Sequence, residues 1–545
     1  MCRYTLVFLL CLHGLATAEP QLIIRHAKVF TADERYPTAE AVAIENGRFT
    51  AVGRDAEVLA LAGPTTRVLD AGGRLVTPGL IEAHVHLASA FPLFPSPVEP
   101  LKLPGSPLAG PLADELVEAV RVAARAPGDW IVGPIGVRAL HDARIWRDAL
   151  DAAALQRPVM LRPVWGHVTV LNSAALARLG IQEHIADPLA GWWGRDDKGR
   201  LDGRAFESAV RTGWERVAPP SPDRGEPIFR AAADRYARWG VTSIHLMNDG
   251  KTLDYTAEVL GRLAHRQKWT VYSWAMDASG IAAAWGAIDS AAKPLPPRVR
   301  IDGPKWMLDG TPLEQNAWQR EDYPDRPGWR GRSNYTDEQL REILRRALQQ
   351  PGQIAVHVVG DAETDRLFRT MESLAPAAVW AAKRIRIEHG DGIRPDTLAQ
   401  AKHLGIVVTQ NPTHLAEAST SAVHETHTML RRLLLAGVPI ALGSDAGGPQ
   451  ASPFFNIMLA CRNGAPGEAL TREEALRAYT AGAAYAERQE SNKGRIAVGL
   501  AADLAVLSQD ILTAPLDALP ATISLLTIVD GEVVLEDPEL AVAGQ

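Results

Sequence analysis

Residues 79–86, GLIEAHVH, form an apolar run that ends in two histidines one residue apart. Side chains along a strand alternate with a period of two, so His84 and His86 share one side while Val85 packs on the other. Imidazoles placed this way are either paired metal ligands or two ordinary strand histidines, and the pair alone does not choose between them. The choice depends on what the rest of the chain brings to the same strand end.

Seven further strand-like runs follow: GVTSIHLM (240–247), WTVYSWAM (269–276), VRIDGPKWML (299–308), GQIAVHVV (352–359), RIRIEHG (384–390), LGIVVTQN (404–411) and VPIALGSD (438–445). Helix-like segments such as TDEQLREILRRALQQPG (336–352) and TREEALRAYTAGAAYAE (471–487) separate some of them. Strands alternating with helices are the α/β pattern, and eight such units predict a closed (β/α)₈ TIM-like barrel whose loops at the C-terminal strand ends surround one site.

Short, turn-bounded runs at both ends of the chain have another character. QLIIRHAKVF (21–30), AEAVAIENGRFTAVG (39–53) and TRVLDAGGRLVTPG (66–79) at one end match GRIAVGLAADLAVLS (494–508) and SLLTIVDGEVVLED (524–537) at the other. Each end is too small to keep a core alone, so a composite β-sandwich is expected from residues 19–77 and 490–545. It brackets a barrel at 78–489, with a large insertion at about 87–235 over the barrel mouth.

Composition sets outer limits. The 545 residues are 46% hydrophobic and 22% charged, as in ordinary globular chains, and exceed the usual size of a single core. A formal charge of -7, with no long basic block, speaks against a nucleic-acid partner and leaves a small-molecule substrate. The reading is compatible with a homo-oligomer. MCRYTLVFLLCLHGLATA (1–18) reads as a cleaved export signal, which predicts a periplasmic or secreted protein with no stable membrane insertion after cleavage. Cys2 and Cys11 fall in that segment, so Cys461 is the one cysteine expected in the mature chain, and a cysteine-rich zinc site is excluded. Walker, HExxH and GxSxG signatures are absent.

The chemistry-bearing residues gather at predicted strand ends: Lys305, His357, His389 and Asp445 join His84 and His86. Four histidines and a carboxylate suit one or two divalent ions, most naturally Zn²⁺, which polarise a carbonyl and acidify a bound water. A free ammonium at Lys305 would be a poor ligand, whereas its carbamate would be an anionic, two-oxygen bridge. Asp445 suits a ligand that also carries a proton from the attacking water to a leaving nitrogen. Trp165, Trp192, Trp193, Trp306 and Trp318 either line a pocket or pack in cores. His245 is expected to be structural or a substrate contact.

GLIEAHVHL, DGPKWMLDG, AVHVVGDAETD, IRIEHG and ALGSDAGG together resemble the amidohydrolase superfamily, and more narrowly its YtcJ-like branch, which includes hydrolases of N-substituted formamides. The resemblance runs from about residue 22 to 535. It implies a metal-dependent hydrolase of a non-peptide C–N bond, with His84 and His86 at a first metal, Lys305 as a carbamylated bridge, His357 and His389 at a second metal, and Asp445 at the catalytic position. RPVWGHVTVLNSAAL (162–176) is similar to a branch segment that carries His167, Asn172 and Ser173 toward substrate. Trp306 and Asp309 are expected to face the same pocket. TPLEQNAW (311–318) departs from the small residues usual in the branch, so specificity is not transferable. An esterase or lactonase, and a non-catalytic metal-containing binding protein, are the alternatives.

Overall fold

The computed structural model describes residues 19–87, 101, 109–154, 156–163, 165–214, 221–248, 252–263, 266–275, 280–291, 294–418, 429–462 and 467–542. The expected export segment, residues 1–18, lies outside the described residues, as does most of the stretch LPGSPLAGPL (103–112). No helix among the described residues is long and apolar enough to cross a membrane.

All eight expected barrel strands form one parallel sheet in chain order: β1 (Leu80–Val85), β2 (Val241–Asn248), β3 (Lys268–Trp274), β4 (Val299–Met307), β5 (Ala355–Val358), β6 (Arg386–His389), β7 (Val407–Gln410) and β8 (Ile440–Leu442). The register puts Met307 beside His357 and Val358 beside His389, so adjacent strands end level with one another. The ring is drawn together just beyond the short β8. There the Asp445 amide donates to the His84 carbonyl (2.9 Å), and Glu82 Oε1 accepts from the amides of His84 (3.0 Å) and Ser444 (2.7 Å). A Cβ on Gly443 would lie 2.5 Å from the His84 nitrogen, so the approach requires glycine there.

Helices cover the barrel by burying one stripe each. The helix Asp337–Gln349 opens with a capping box between Thr336 and Gln339 and buries Leu340, Ile343, Leu344 and Ala347.

Both ends of the chain build the adjoining sheets. One sheet has six strands in the order Glu532–Glu536, Ser524–Val529, Leu504–Leu507, Leu75–Pro78, Lys28–Phe30 and Thr38–Ala39. Val76 pairs with Val506, so the two ends share a ladder. A second sheet of four strands, drawn from residues 22–70, packs against it through Leu22, Ile24, Val42 and Phe49, opposite Leu504, Val506 and Ile528.

Between β1 and β2 the insertion forms its own five-stranded sheet, from Ile131–Pro134 to Leu201–Glu207, with separate apolar cores. Its extent is shorter than expected. The helix Pro222–Arg238 buries Phe229, Ala233 and Tyr236 in the barrel core, so the insertion closes before residue 222 rather than near 235.

Candidate metal centre

The HVH pair sits at the end of β1, and its two Nε2 atoms are 3.2 Å apart. Two nitrogens bound tetrahedrally at zinc distances would be separated by about 3.4 Å. Asp445 Oδ1 lies 3.6 Å from His84 Nε2 and 3.7 Å from His86 Nε2, while its Oδ2 is 4.0 Å from His389 Nε2. Ligand atoms of His84, His389 and Asp445 all fall within 4.8 Å of one another. Lys305 Nζ completes this side, 3.2 Å from His84 Nε2 and 5.5 Å from the centre of the Trp274 ring.

Hydrogen bonds on the outer ring nitrogens decide which nitrogen faces inward. His84 Nδ1 is 2.5 Å from Glu388 Oε2, and His389 Nδ1 is 2.9 Å from Asn411 Oδ1. A carboxylate and an amide oxygen only accept, so each Nδ1 carries the proton and each Nε2 presents a lone pair, the arrangement a metal-ligating histidine needs. His357 stacks edge-on against His389 at 4.6 Å, and its buried Nδ1 has no hydrogen-bond partner among the described residues. An orphaned nitrogen there fits a metal ligand.

Electrostatics agree with that form. Burial, with Lys305 nearby, lowers His84 to about 4, and burial also holds His357 and His389 well below the usual imidazole value. Burial opposes ionisation of Asp445, yet the surrounding histidines keep its carboxyl well below the ordinary range. Burial likewise opposes ionisation of Glu388, but Arg386 and His84 bring it down to about 2.

The insertion contributes His167. Its ring lies 5.3 Å from that of His357, and its Nδ1 is 3.0 Å from both oxygens of the buried Glu207. Burial works against a charge on His167, but Glu207 lifts it to about 9.

Three expected substrate contacts are placed elsewhere. Asn172 is fully buried as the cap of the helix Ser173–Arg178. Its oxygen accepts from the amides of Val159 and Ala175, and its nitrogen donates to the Arg157 carbonyl. Trp306 follows Lys305 on β4, so the two-residue alternation turns it outward into the layer between strands and helices, where it meets Tyr335 edge-on at 5.9 Å. Asp309 spends its oxygens on the amides of Val359, Gly360 and Trp318, and burial raises it to about 7. It shapes the loops beside His357, 4.0 Å from Nε2, rather than facing substrate. Ser173 bonds to Asp151 and Arg147 inside the insertion. Asp361 opens the helix Asp361–Leu374, where it accepts from the Arg320 amide and pairs with Arg394.

Other site residues escaped the sequence reading. Trp274 stands 4.9 Å from His86, and His414 Nε2 is 3.7 Å from Asp445 Oδ2. Glu388, Asn411 and Glu207 lie within hydrogen-bond distance of the Nδ1 atoms of His84, His389 and His167. Charged residues alternating with Ile387 in RIEH were the available signal, because a barrel strand buried on both faces is ordinarily apolar.

The model of the amidohydrolase family matches residues 67–535. The chain belongs to the amidohydrolase family. Among its relatives, N-substituted formamide deformylase of Arthrobacter pascens is 28% identical, covering 94% of this chain and 97% of its own. An uncharacterised metal-dependent hydrolase from Pyrococcus furiosus has the same fold, with a TM-score of 0.63 at 21% identity over 90% of this chain and all of its own. Atrazine chlorohydrolase from Arthrobacter aurescens, solved with zinc, superposes with a TM-score of 0.54 at 16% identity over 96% of this chain and 98% of its own. Membership in the family makes this chain a hydrolase.

Proposed function

We propose that the protein hydrolyses the C–N bond of a small amide or N-substituted formamide at a divalent metal centre. The observation that carries the reading is the convergence of His84 Nε2, His86 Nε2 and Asp445 Oδ1 within 3.7 Å of one another, with two outer imidazole nitrogens fixed as donors. His84, His86 and Asp445 would hold one ion, and His357 and His389 a second. Lys305, as its carbamate, would bridge the two. Zinc is the favoured metal for this nitrogen and oxygen set. When bound, the metal polarises the carbonyl and acidifies a water.

The chain's own groups do the rest. Asp445, ionised at neutral pH, accepts the proton of the attacking water and returns it to the departing nitrogen. His167, held by Glu207 with its ring 5.3 Å from that of His357, would hydrogen-bond the substrate through its other ring nitrogen. Trp274 supplies an apolar wall that limits water. The deformylase named above supports the formamide reading at modest identity. Residues 311–318 depart from the branch beside the pocket, so the acyl and amine groups are left open. Export through residues 1–18 belongs to the same proposal and is checked by N-terminal sequencing of the mature chain.

The test is turnover by metal-loaded protein across formamides, amides, hydantoins, esters and lactones. Release of amine from formamides or amides is expected. Turnover confined to esters and lactones would replace the C–N assignment, and no turnover at all would favour a binding role.

A further inference from the structure

A barrel interior is ordinarily filled with branched apolar side chains. Here the layer beneath His84 is ionic. Arg386, Glu388 and His245 are completely buried, and the side chain of Glu487 is 1% exposed. Glu388 Oε2 accepts from Arg386 Nη2 at 3.1 Å, and Arg386 Nε forms an ion pair with Oε1 at 2.5 Å. Arg386 Nη1 lies 2.8 Å from His245 Nδ1, and His245 Nε2 lies 3.1 Å from Glu487 Oε1. Lys493 Nζ, 2.7 Å from the same oxygen, ends the chain. Replacing such a network by well-packed apolar groups is often neutral or stabilising, so stability alone does not account for it. What distinguishes this one is its upper end, where Glu388 meets His84 Nδ1 and Arg386 also donates to the carbonyl of Ala83.

We infer that Glu388 is a positioning residue for His84, and that Arg386 aligns it, so that His84 keeps its proton on Nδ1 and its Nε2 lone pair on the metal position. The inference rests on the metal-centre reading above. Arg386 grips both the Glu388 carboxylate and the strand backbone next to His84, which fixes the ring plane as well as the tautomer. Groups that orient a ligating imidazole set metal affinity by about 10- to 100-fold when removed.

Glu388→Gln is the direct probe, because it keeps the volume while its amide nitrogen permits the other tautomer. Metal affinity, measured by competition with a chelator of known affinity, should weaken by about 10- to 100-fold. In metal-free protein, ¹⁵N NMR of His84 should change from the Nδ1–H form to a mixture. Glu487→Gln serves as control: it breaks the same buried network three links away, and should lower the melting temperature while leaving affinity within about threefold, a factor well below the loss expected from a ligand-orienting group. If Glu388→Gln fails to fold, Arg386→Lys, which keeps the charge but loses the fork, should still weaken affinity roughly tenfold. Unchanged affinity and an unchanged tautomer in Glu388→Gln would overturn the inference, as would equal losses in Glu388→Gln and Glu487→Gln. Wild-type protein that takes up no divalent ion would defeat the metal reading instead, while the metal-free tautomer would still report on Glu388.

Discussion

Glu207, His389 and Asp445 all have positive φ, at 53°, 68° and 46°. Such backbone is uncommon for residues other than glycine, costs on the order of 1 kcal/mol or more at each, and clusters at working sites. In this chain it aims two groups of the centre and the partner of His167 at the same space. Asp445 is the sharpest test at this scale. Asp445→Asn keeps the shape but removes the basic carboxylate, and turnover at matched metal occupancy should fall by roughly 10² or more. Near-normal turnover would remove the proton-transfer role. Glu207→Gln should leave metal content intact and lower kcat/KM by roughly tenfold, or ~1.4 kcal/mol, through loss of His167 alignment. The histidines that gather at the barrel mouth were legible because each stands at the end of a recognisable apolar run. Glu207 was not, since nothing in LDGRAFES announces a left-handed glutamate or a partner 40 residues away.

Alternation decided most of what the strands do, and neglecting it misplaced one residue. His84 and His86 share a side in β1, and by the same rule Lys305 and Trp306 cannot share one in β4. Trp306 therefore packs, and Trp306→Phe should destabilise the fold by ~1–3 kcal/mol in chemical denaturation while leaving KM unchanged. A raised KM with unaltered stability would return it to the pocket. Asn172 carried a legible signal that went unused, as asparagine before a short Ser-Ala-Ala-Leu run is a helix-cap pattern. The closure between β8 and β1 was not legible, because it depends on backbone proximity across 360 residues. Gly443→Ala would place a methyl group against the His84 amide, and is expected to cost ~1–3 kcal/mol and to lower metal content together with activity.

At the scale of the whole molecule, the two ends of the chain recognise each other in one sheet, and ion pairs join that sheet to the barrel. Both ends read as short β units too small to stand alone, which made their union legible; the contacts that fasten it to the barrel were not, being single charges on separate elements. Lys268 Nζ reaches Asp503 and Asp530 at 2.7 Å each. Burial disfavours its charge, but the two carboxylates raise its pKa above the ordinary lysine value. A cation with a raised folded pKa contributes stability that is complete below its unfolded value near 10.5 and is lost as pH climbs through the folded one. Lys268→Met should therefore destabilise the protein at neutral pH, by ~3 kcal/mol if Asp503 stays buried without its partner, and the gap from wild type should narrow only in strongly alkaline solution. The central claim is that His84, His86 and Asp445 hold a divalent ion without which the hydrolase does not turn over. It is tested most directly by removing bound metal stepwise with a chelator while counting ions per chain and turnover together, in wild type and in the His84→Ala, His86→Ala double variant. The account predicts that wild-type activity falls in proportion to the ions lost and returns on zinc addition, whereas the double variant neither holds the first ion nor recovers. Full turnover from metal-free wild type, or unaltered stoichiometry and activity in the double variant, would contradict it.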